Sequence, residues 1–223
     1  MDDFKRDFID FMVRSEVLTF GDFTTKSGRK TPFFINTGRY RTGEQLAKLG
    51  TYYAAAIQRE WPDGVDTLFG PAYKGIPLVA TTSIALAAKG RPVGFCFNRK
   101  EAKDHGEGGS LVGAPLNDGD RILIVEDVTT AGTSIRETVP ILRGAADIQL
   151  AGLIVSVDRQ ERGTGDRSAL AEVGEQFAMP TRAIVNMDEV VEHLHGREID
   201  GRVVLDDALV ERIAGYRAEY GAR

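Results

Sequence analysis

Two acidic residues and a run of small and hydroxyl-bearing residues stand together in residues 121–134, RILIVEDVTTAGTS. Glu126 and Asp127 follow an apolar stretch typical of a buried parallel strand, and open α/β sheets bind ligands at the carboxyl ends of such strands. Backbone amides at the start of the next helix, with threonine hydroxyls beside them, could bind a phosphate, and the two carboxylates could accept hydrogen bonds from a sugar diol. The order of these residues predicts a ribose 5-phosphate site. The alternative is a strand, an acidic turn and a helix cap.

Strands and helices alternate along the part of the chain that contains this segment. The alternation predicts an α/β fold, in which a central parallel sheet is flanked by helices. The predicted strands are 66–69, 92–97, 121–125, 151–157 and 182–186, and the predicted helices are 75–89, 133–145, 168–177 and 188–195. We expect Pro140 to kink or shorten the helix that contains it, because proline lacks the backbone N–H group.

The two ends of the chain carry further predicted elements. Apolar spacing predicts a first amphipathic helix around residues 4–12 and a closing helix around 209–220. Residues 20–38 are typical of a hairpin, and Thr42 with Gln45 forms a capping-box pattern at the start of a helix that ends near residue 61.

The charge and composition of the 223-residue chain exclude several classes of protein. Lys and Arg number 28 against 33 Asp and Glu, and this net charge of −5 argues against a protein that coats nucleic acid or an anionic membrane. The single cysteine, Cys96, excludes an internal disulfide framework, and we expect it to be buried. No signal-peptide pattern is visible, and the longest apolar-rich run, 75–88, is too short to span a bilayer. We expect a soluble cytoplasmic protein.

Several separate segments resemble those of one enzyme family. EDVTTAGTS (126–134) resembles the fingerprint with which type I phosphoribosyltransferases bind phosphoribosyl diphosphate (PRPP). Four further segments are similar to those of orotate phosphoribosyltransferases: LTFGDFTTKSGRKTPFFIN (18–36), FGPAYKGIP (69–77), CFNRKEAKDHGEGG (96–109) and SVDRQERG (156–163). The resemblance implies a type I phosphoribosyltransferase fold and the transfer of ribose 5-phosphate from PRPP to orotate. The products would be orotidine 5′-monophosphate and pyrophosphate, in de novo pyrimidine (UMP) biosynthesis.

The resemblance also implies a role for each matching residue. The residues implied to bind PRPP are Tyr73, Lys74, Arg99, Lys100, Lys103, His105, Glu126, Asp127, Val128, Thr129, Thr130, Ala131, Gly132, Thr133 and Ser134. The residues implied to bind orotate are Lys26, Phe34, Ile35, Thr130 and Arg159. Those implied to be catalytic are Lys103, His105 and Asp127. Ile35 departs from the many relatives that carry a second aromatic residue next to Phe34.

The organisation implied by the resemblance is a single domain over residues 1–223. Its α/β core would span about 42–186, and a small N-terminal hood of about 1–40, with C-terminal segments, would cover the base. Mg²⁺ would be bound mainly through PRPP and pyrophosphate, with no dedicated protein ligands. The enzyme would be a homodimer with shared active sites and no nucleic-acid or membrane partner. A cis peptide bond is expected between Ala72 and Tyr73.

Other interpretations of the same residues stay open at this point. The chain could use another base, although a purine offers no carboxylate for Arg159, or it could be a non-catalytic PRPP-binding regulator. Arg159 could simply pair with Asp158 or Glu161. Lys26 could be a solvated charge and His105 an idle exposed side chain. The segment 98–110 is typical both of a solvated loop and of a lid that closes over anions. We expect His193 and His195 to lie at the surface.

Overall fold

The computed structural model describes residues 1–25, 28–100, 110–129 and 132–222. The strands in these residues are β1 (Leu18–Thr24), β2 (Lys30–Ile35), β3 (Thr67–Gly70), β4 (Gly94–Asn98), β5 (Leu111–Gly113), β6 (Arg121–Val125), β7 (Gln149–Asp158), β8 (Thr181–Asn186), β9 (Glu198–Ile199) and β10 (Arg202–Val203). The α-helices are α1 (Asp3–Arg14), α2 (Gly43–Glu60), α3 (Gly75–Ala88), α4 (Thr133–Ala145), α5 (Ala169–Phe177), α6 (Met187–Leu194) and α7 (Asp207–Tyr220).

A six-stranded sheet of the order β5-β4-β3-β6-β7-β8 lies at the centre of the described residues. Its strands pair in parallel, except that β5 runs antiparallel to β4. The order changes direction between β3 and β6, because the chain leaves β3 toward β4 and returns to the other side of β3 as β6. Ligands of open α/β sheets bind at such a switch point, outside the carboxyl ends of the strands.

The sheet separates two apolar clusters, and the side chains of its strands alternate between them. In β6, Leu123 and Val125 belong to the cluster that also contains residues of α1, α2 and α3, whereas Ile122 and Ile124 belong to the cluster with α4 and α5. This period of two follows from the pleat of a strand buried on both faces. The predicted α/β class is confirmed.

The β1–β2 hairpin and α7 lie outside the central sheet and contact each other. The β1–β2 hairpin packs on α7, where the rings of Phe33 and Tyr216 meet edge to face at 5.7 Å. The predicted capping box at the start of α2 is present, since Thr42 and Gln45 exchange backbone and side-chain hydrogen bonds. The division of the chain into a core and a hood stays a prediction.

One sequence expectation is wrong, and another is tested only in part. The helix that contains Pro140 is not shortened, because α4 continues to Ala145 with the proline on its exposed side. His193 is buried instead of lying at the surface, and its Nε2 is 2.8 Å from Oδ1 of Asp10 in α1. The carboxylate gives the imidazole a hydrogen-bonding partner, which makes its burial tolerable. His195 is exposed, as expected, and Cys96 is buried.

Candidate active site

The turn after β3 brings two glycines into close contact. A Cβ atom on Gly75 would lie 2.6 Å from the carbonyl carbon of Gly70, so side chains at these positions would open the turn. Between them, the peptide bond from Ala72 to Tyr73 is cis, as expected from the resemblance. The amide of Ala72 donates to Oδ1 of Asn98 at 2.8 Å, which ties this turn to the end of β4. The turn presents the exposed side chains of Tyr73 and Lys74 at the carboxyl edge of the sheet.

Glu126 and Asp127 follow β6 at the same edge, and both are buried. Hydroxyl groups from two neighbouring elements hold their backbone in place. Tyr53 of α2 donates to the carbonyl oxygen of Glu126 at 2.8 Å, and Ser156 of β7 donates to that of Asp127 at 2.6 Å. The acidic pair is therefore built into the sheet rather than carried on a loose turn.

The two carboxylates have different partners. Ser134 Oγ donates to Oε2 of Glu126 at 2.7 Å. Oδ2 of Asp127 accepts a hydrogen bond from the Thr37 hydroxyl at 2.5 Å and lies 3.0 Å from Nζ of Lys74. Burial raises the pKa of Glu126 to about 7, and the adjacent Asp127 charge also raises it, whereas the Ser134 hydrogen bond lowers it. Asp127 is therefore paired with Lys74, whereas Glu126 gains or loses a proton near neutral pH.

A left-handed glycine connects the acidic pair to α4. Gly132 has φ +69° and is the N-cap residue of that helix, and a Cβ atom there would overlap Cγ2 of Val173. Because glycine has no side chain, it leaves the first amides of α4 open to a ligand. Thr133 and Ser134 form the first turn of the helix, and Val128 and Thr129 connect it to the acidic pair. Thr130 and Ala131 lie outside the described residues.

Cationic side chains stand on the other side of the switch point. Lys100 Nζ lies 5.5 Å from the centre of the Tyr73 ring, and the amide of Arg99 donates to the carbonyl oxygen of Ser110 at 2.8 Å. Together with Lys74, these residues bring positive charge to the ends of β3 and β4. Lys103 and His105 lie outside the described residues.

The residues expected to bind the base come together only in part. Arg159 follows β7, and its guanidinium lies 5.1 Å from the centre of the Phe33 ring. Phe34 is partly exposed and stacks on Phe23 at 5.6 Å, whereas Ile35 is buried in the core on the opposite face of β2. Ile35 therefore shares the buried face of β2 with Phe33, against which Arg159 lies, whereas the Phe34 side chain is on the opposite, exposed face. Lys26 and Thr130 lie outside the described residues.

The segment from Phe33 to Thr37 connects Arg159 with the acidic pair. Phe33 contacts Arg159, and Thr37, four residues further along, donates to Asp127. Four residues span at most about 13–14 Å even when fully extended, so the Cα atoms of Phe33 and Thr37 lie no farther apart than this.

Sequence reasoning missed four residues that support the site: Thr37, Tyr53, Asn98 and Ser156. Each acts through one hydroxyl or amide group whose partner is distant in sequence, and no local pattern indicates such a pairing.

Within the described residues, no group of three or more His, Cys, Asp or Glu side chains is arranged to hold a metal ion. Nor does any helix there have the length and apolar character needed to cross a membrane.

Comparison with known proteins identifies the class of this site. The sequence model of the family described as "Phosphoribosyl transferase domain" matches residues 36–176, which is more than half of the chain. The chain is accordingly a member of the phosphoribosyltransferase class and has its fold.

Closer relatives narrow the class. The chain is 58% identical to an orotate phosphoribosyltransferase of Clostridium beijerinckii, with 99% of both chains covered, and 51% identical to one of Thiobacillus denitrificans, with 99% of this chain and 100% of that one covered. The crystal structure of an orotate phosphoribosyltransferase from Francisella tularensis superimposes with a TM-score of 0.83 at 38% identity, over 97% of this chain and 100% of that one. This chain belongs to the orotate phosphoribosyltransferase family, as the sequence predicts.

Proposed function

We propose that this chain transfers the ribose 5-phosphate of PRPP to orotate and releases orotidine 5′-monophosphate and pyrophosphate, a step of de novo pyrimidine (UMP) biosynthesis. The observation that carries the proposal is that three kinds of side chain, each suited to a different part of the substrates, lie along one edge of the sheet. A buried acidic pair follows β6, cationic side chains follow β3 and β4, and a buried arginine follows β7. Relatives more than 50% identical over their whole length bear the name of this activity.

Different groups of the site bind the 5-phosphate, the ribose and the pyrophosphate of PRPP. Amides and hydroxyls from Thr129 to Ser134 surround the 5-phosphate at the start of α4, and Glu126 and Asp127 accept hydrogen bonds from the ribose hydroxyls. Tyr73, Lys74, Arg99 and Lys100 face the pyrophosphate, as do Lys103 and His105. When PRPP binds, Lys74 can leave Asp127 for a phosphate oxygen, which frees that carboxylate for the sugar.

Orotate lies between the hairpin and the loop after β7. Arg159 binds its carboxylate, and Phe34 packs on the ring, with Lys26 and Thr130 completing this set. A guanidinium suits a planar carboxylate because it can donate two parallel hydrogen bonds. A purine has no carboxylate to match Arg159, which favours orotate over another base.

The chemical step exchanges one bond at C1 of the ribose for another. The bond from C1 to the pyrophosphate oxygen breaks with its electron pair while a ring nitrogen of orotate bonds to C1. That nitrogen gives up its proton to the departing pyrophosphate or to water. Positive charge develops on the sugar and negative charge on the leaving group. The carboxylate of Asp127 stabilises the positive charge on the ribose, and Lys103 and His105 stabilise the negative charge on the departing pyrophosphate.

Mg²⁺ fits this site as a companion of the substrate. Carboxylate oxygens are suitable donors for Mg²⁺, yet those of Glu126 and Asp127 already accept hydrogen bonds from Ser134, Thr37 and Lys74. The diphosphate oxygens and water therefore supply most of its ligands. When bound, the ion offsets the charge that grows on the departing pyrophosphate.

The active enzyme is a homodimer with shared sites, and α3 offers the surface for it. Pro77, Ala80, Ile84 and Ala87 form an apolar stripe on this helix, and Ile84 is 69% exposed. Such a stripe on a soluble protein is typical of an interface. Because α3 begins directly after Lys74, a partner packed there would lie next to the PRPP site. The pathway and the single buried cysteine favour a cytoplasmic location.

Mixing two inactive variants tests the shared site. Lys103→Ala and Asp127→Ala homodimers should each be nearly inactive. If Lys103 of one subunit serves the partner's site, a heterodimer has one site with both lesions and one with neither, so activity reappears. Size-exclusion chromatography must show a dimer, and a tagged chain must verify subunit exchange. Verified heterodimers as inactive as their parents would show that the loop serves its own subunit.

A turnover assay separates the proposed reaction from its alternatives. Purified protein with orotate, PRPP and Mg²⁺ should consume orotate and form orotidine 5′-monophosphate and pyrophosphate in equal amounts, and omission of PRPP should stop the reaction. Faster consumption of adenine or hypoxanthine than of orotate would indicate another base. Binding of PRPP without any turnover would indicate a regulator.

A further inference from the structure

Another buried carboxylate, that of Glu161, lies against Arg159, the arginine assigned to binding of the base. Nε and Nη2 of Arg159 donate to its Oε1 at 3.0 Å and 2.5 Å, and each side chain is 10% exposed. A buried carboxylate is stable only when it is paired and hydrogen-bonded. This contact is the Arg159–Glu161 pairing that the sequence left open as an alternative to base binding.

The pairing uses only one side of the guanidinium. Among the described residues, the hydrogen bonds of Arg159 engage Nε and Nη2, while one of its faces lies over the Phe33 ring. Nη1 and the second N–H of Nη2 form another edge, and that edge can still donate two parallel bonds to a carboxylate. Pairing with Glu161 and binding of a base are therefore compatible.

Side chains of the C-terminal helix α7 and of the hairpin also contact the Glu161 carboxylate. The Tyr216 hydroxyl of α7 donates to the same Oε1 at 2.9 Å, and Nη1 of Arg29 lies 3.6 Å from Oε2. Arg29 is itself placed over the Tyr220 ring at 4.8 Å. Burial and then the Glu161 charge raise the pKa of Tyr216, so its hydroxyl remains a donor at neutral pH.

The backbone of this loop is also fixed by the end of the chain. The amide of Arg162 donates to the carbonyl oxygen of Tyr220 at 2.9 Å, and the amide of Ala222 donates to that of Gln160 at 2.8 Å. Gln160 has φ 54°, a conformation that needs such support in a residue other than glycine. The segment that follows α7 therefore helps to set the conformation of the loop on which Arg159 stands.

The charges of this cluster leave room for one more anion. Arg29 and Arg159 carry two positive charges and Glu161 one negative charge, so the cluster has a net charge of +1 before any ligand binds. A base with a single carboxylate would neutralise it. A neutral base would leave the excess positive charge of this partly buried cluster uncompensated, which is unfavourable.

We propose that Glu161 is a positioning residue for base recognition: supported by Tyr216 and Arg29, it orients Arg159 so that the second guanidinium edge meets the carboxylate of the base. The inference rests on the proposed function, because it takes Arg159 as the residue that binds orotate. It extends that function to the C-terminal helix, which otherwise has no part in the site.

Conservative variants test the inference. Tyr216→Phe should raise the KM for orotate about threefold to tenfold, and Glu161→Gln about tenfold or more, since hydrogen bonds to charged groups are lost. The KM for PRPP and the melting temperature of Tyr216→Phe should stay near those of the parent. Tyr220→Phe is the matched control: it removes a hydroxyl one helical turn away whose ring neighbours Tyr216, and it should leave both KM values unchanged.

A double-mutant cycle separates positioning from a merely structural role. In an Arg159→Met background, Tyr216→Phe should have no further effect on the dissociation constant of orotidine 5′-monophosphate, measured by calorimetry. Equal effects in both backgrounds would overturn the inference. If Glu161→Gln does not fold, Tyr216→Phe decides the question.

The outcome for Arg159→Met distinguishes the inference from the proposed function. If this change weakens orotate binding while Tyr216→Phe and Glu161→Gln behave like Tyr220→Phe, the positioning role is wrong and the base site stands. If Arg159→Met leaves orotate binding unchanged, the assignment of the base site is wrong, and the inference falls with it.

Discussion

Burial of Glu126 should make the free energy of unfolding depend on pH, and Glu126→Gln should remove the part of that dependence that Glu126 contributes. The pKa of Glu126 rises from its ordinary value of 4.5 to about 7 in the folded chain, chiefly because the group is buried. A raised pKa means that the folded state holds the proton more tightly than the unfolded state. Protonated Glu126 therefore contributes its full stabilisation of the folded state below pH 4.5, and this stabilisation is lost as the pH rises through 7.

The size of the effect follows from the size of the pKa change. One pKa unit corresponds to about 1.4 kcal/mol, so ionisation of Glu126 costs the folded state roughly 3 kcal/mol. About 2–3 kcal/mol of this falls between pH 5 and pH 8. Glutamine keeps an oxygen that can accept the Ser134 hydrogen bond and does not titrate. Relative to the parent protein, Glu126→Gln should therefore gain about 2–3 kcal/mol of unfolding free energy over this interval.

Urea unfolding at pH 5, 6, 7 and 8 measures this difference directly. Protein concentration must be fixed, because association of folded subunits shifts apparent stability. Glu137→Gln is the matched control, because it makes the same change at an exposed position of the same helix, α4. A stability difference between Glu126→Gln and the parent that stays constant within about 0.5 kcal/mol across this range would refute the reasoning.

Three further substitutions test the roles of Asp127, Gly132 and His193. Asp127→Asn should lower kcat/KM for PRPP roughly tenfold to a hundredfold in steady-state kinetics, because a charge-assisted bond to ribose is weakened, and an unchanged value would exclude the ribose assignment. Gly132→Ala should lower the free energy of unfolding by about 1–3 kcal/mol in urea and weaken PRPP binding, because φ is +69° and the new methyl group would overlap a valine of α5. Gly144→Ala is its control: this glycine of α4 faces open space, so the change should alter neither the unfolding free energy nor PRPP binding. His193→Phe should lower the unfolding free energy by about 1–3 kcal/mol because Asp10 loses a buried partner, and kinetic constants far below those of the parent would contradict a purely structural role.

Much of the central sheet could be predicted from sequence because its strands are buried on both faces. Apolar runs such as 121–125 then stand out between turn residues, and the observed β6 has these bounds. The antiparallel edge strand β5 was missed since it has only three residues, none of them fully buried. The two-residue strands β9 and β10 lack a detectable period for the same reason.

The candidate site was predictable where its chemistry is local in sequence. Glu126, Asp127 and Gly132 occupy one short segment, and its order of acids, glycine and hydroxyls carries the signal. Thr37 and the partners of Arg159 were not predictable, because their roles depend on contacts across the fold. The burial of His193 was missed for a related reason: its partner Asp10 lies 183 positions away in the chain, so no helical spacing indicates it.

If the assignments of Glu126, Asp127 and Arg159 are right, one bound nucleotide spans the carboxyl edge of the sheet from α4 to the loop after β7. A crystal structure of the chain with orotidine 5′-monophosphate would show this. We expect the phosphate at the amides of Gly132 to Ser134, the ribose hydroxyls on Glu126 and Asp127, and the base carboxylate on the second guanidinium edge of Arg159. A nucleotide bound with its phosphate away from α4, or with its carboxylate away from Arg159, would show that these assignments are wrong.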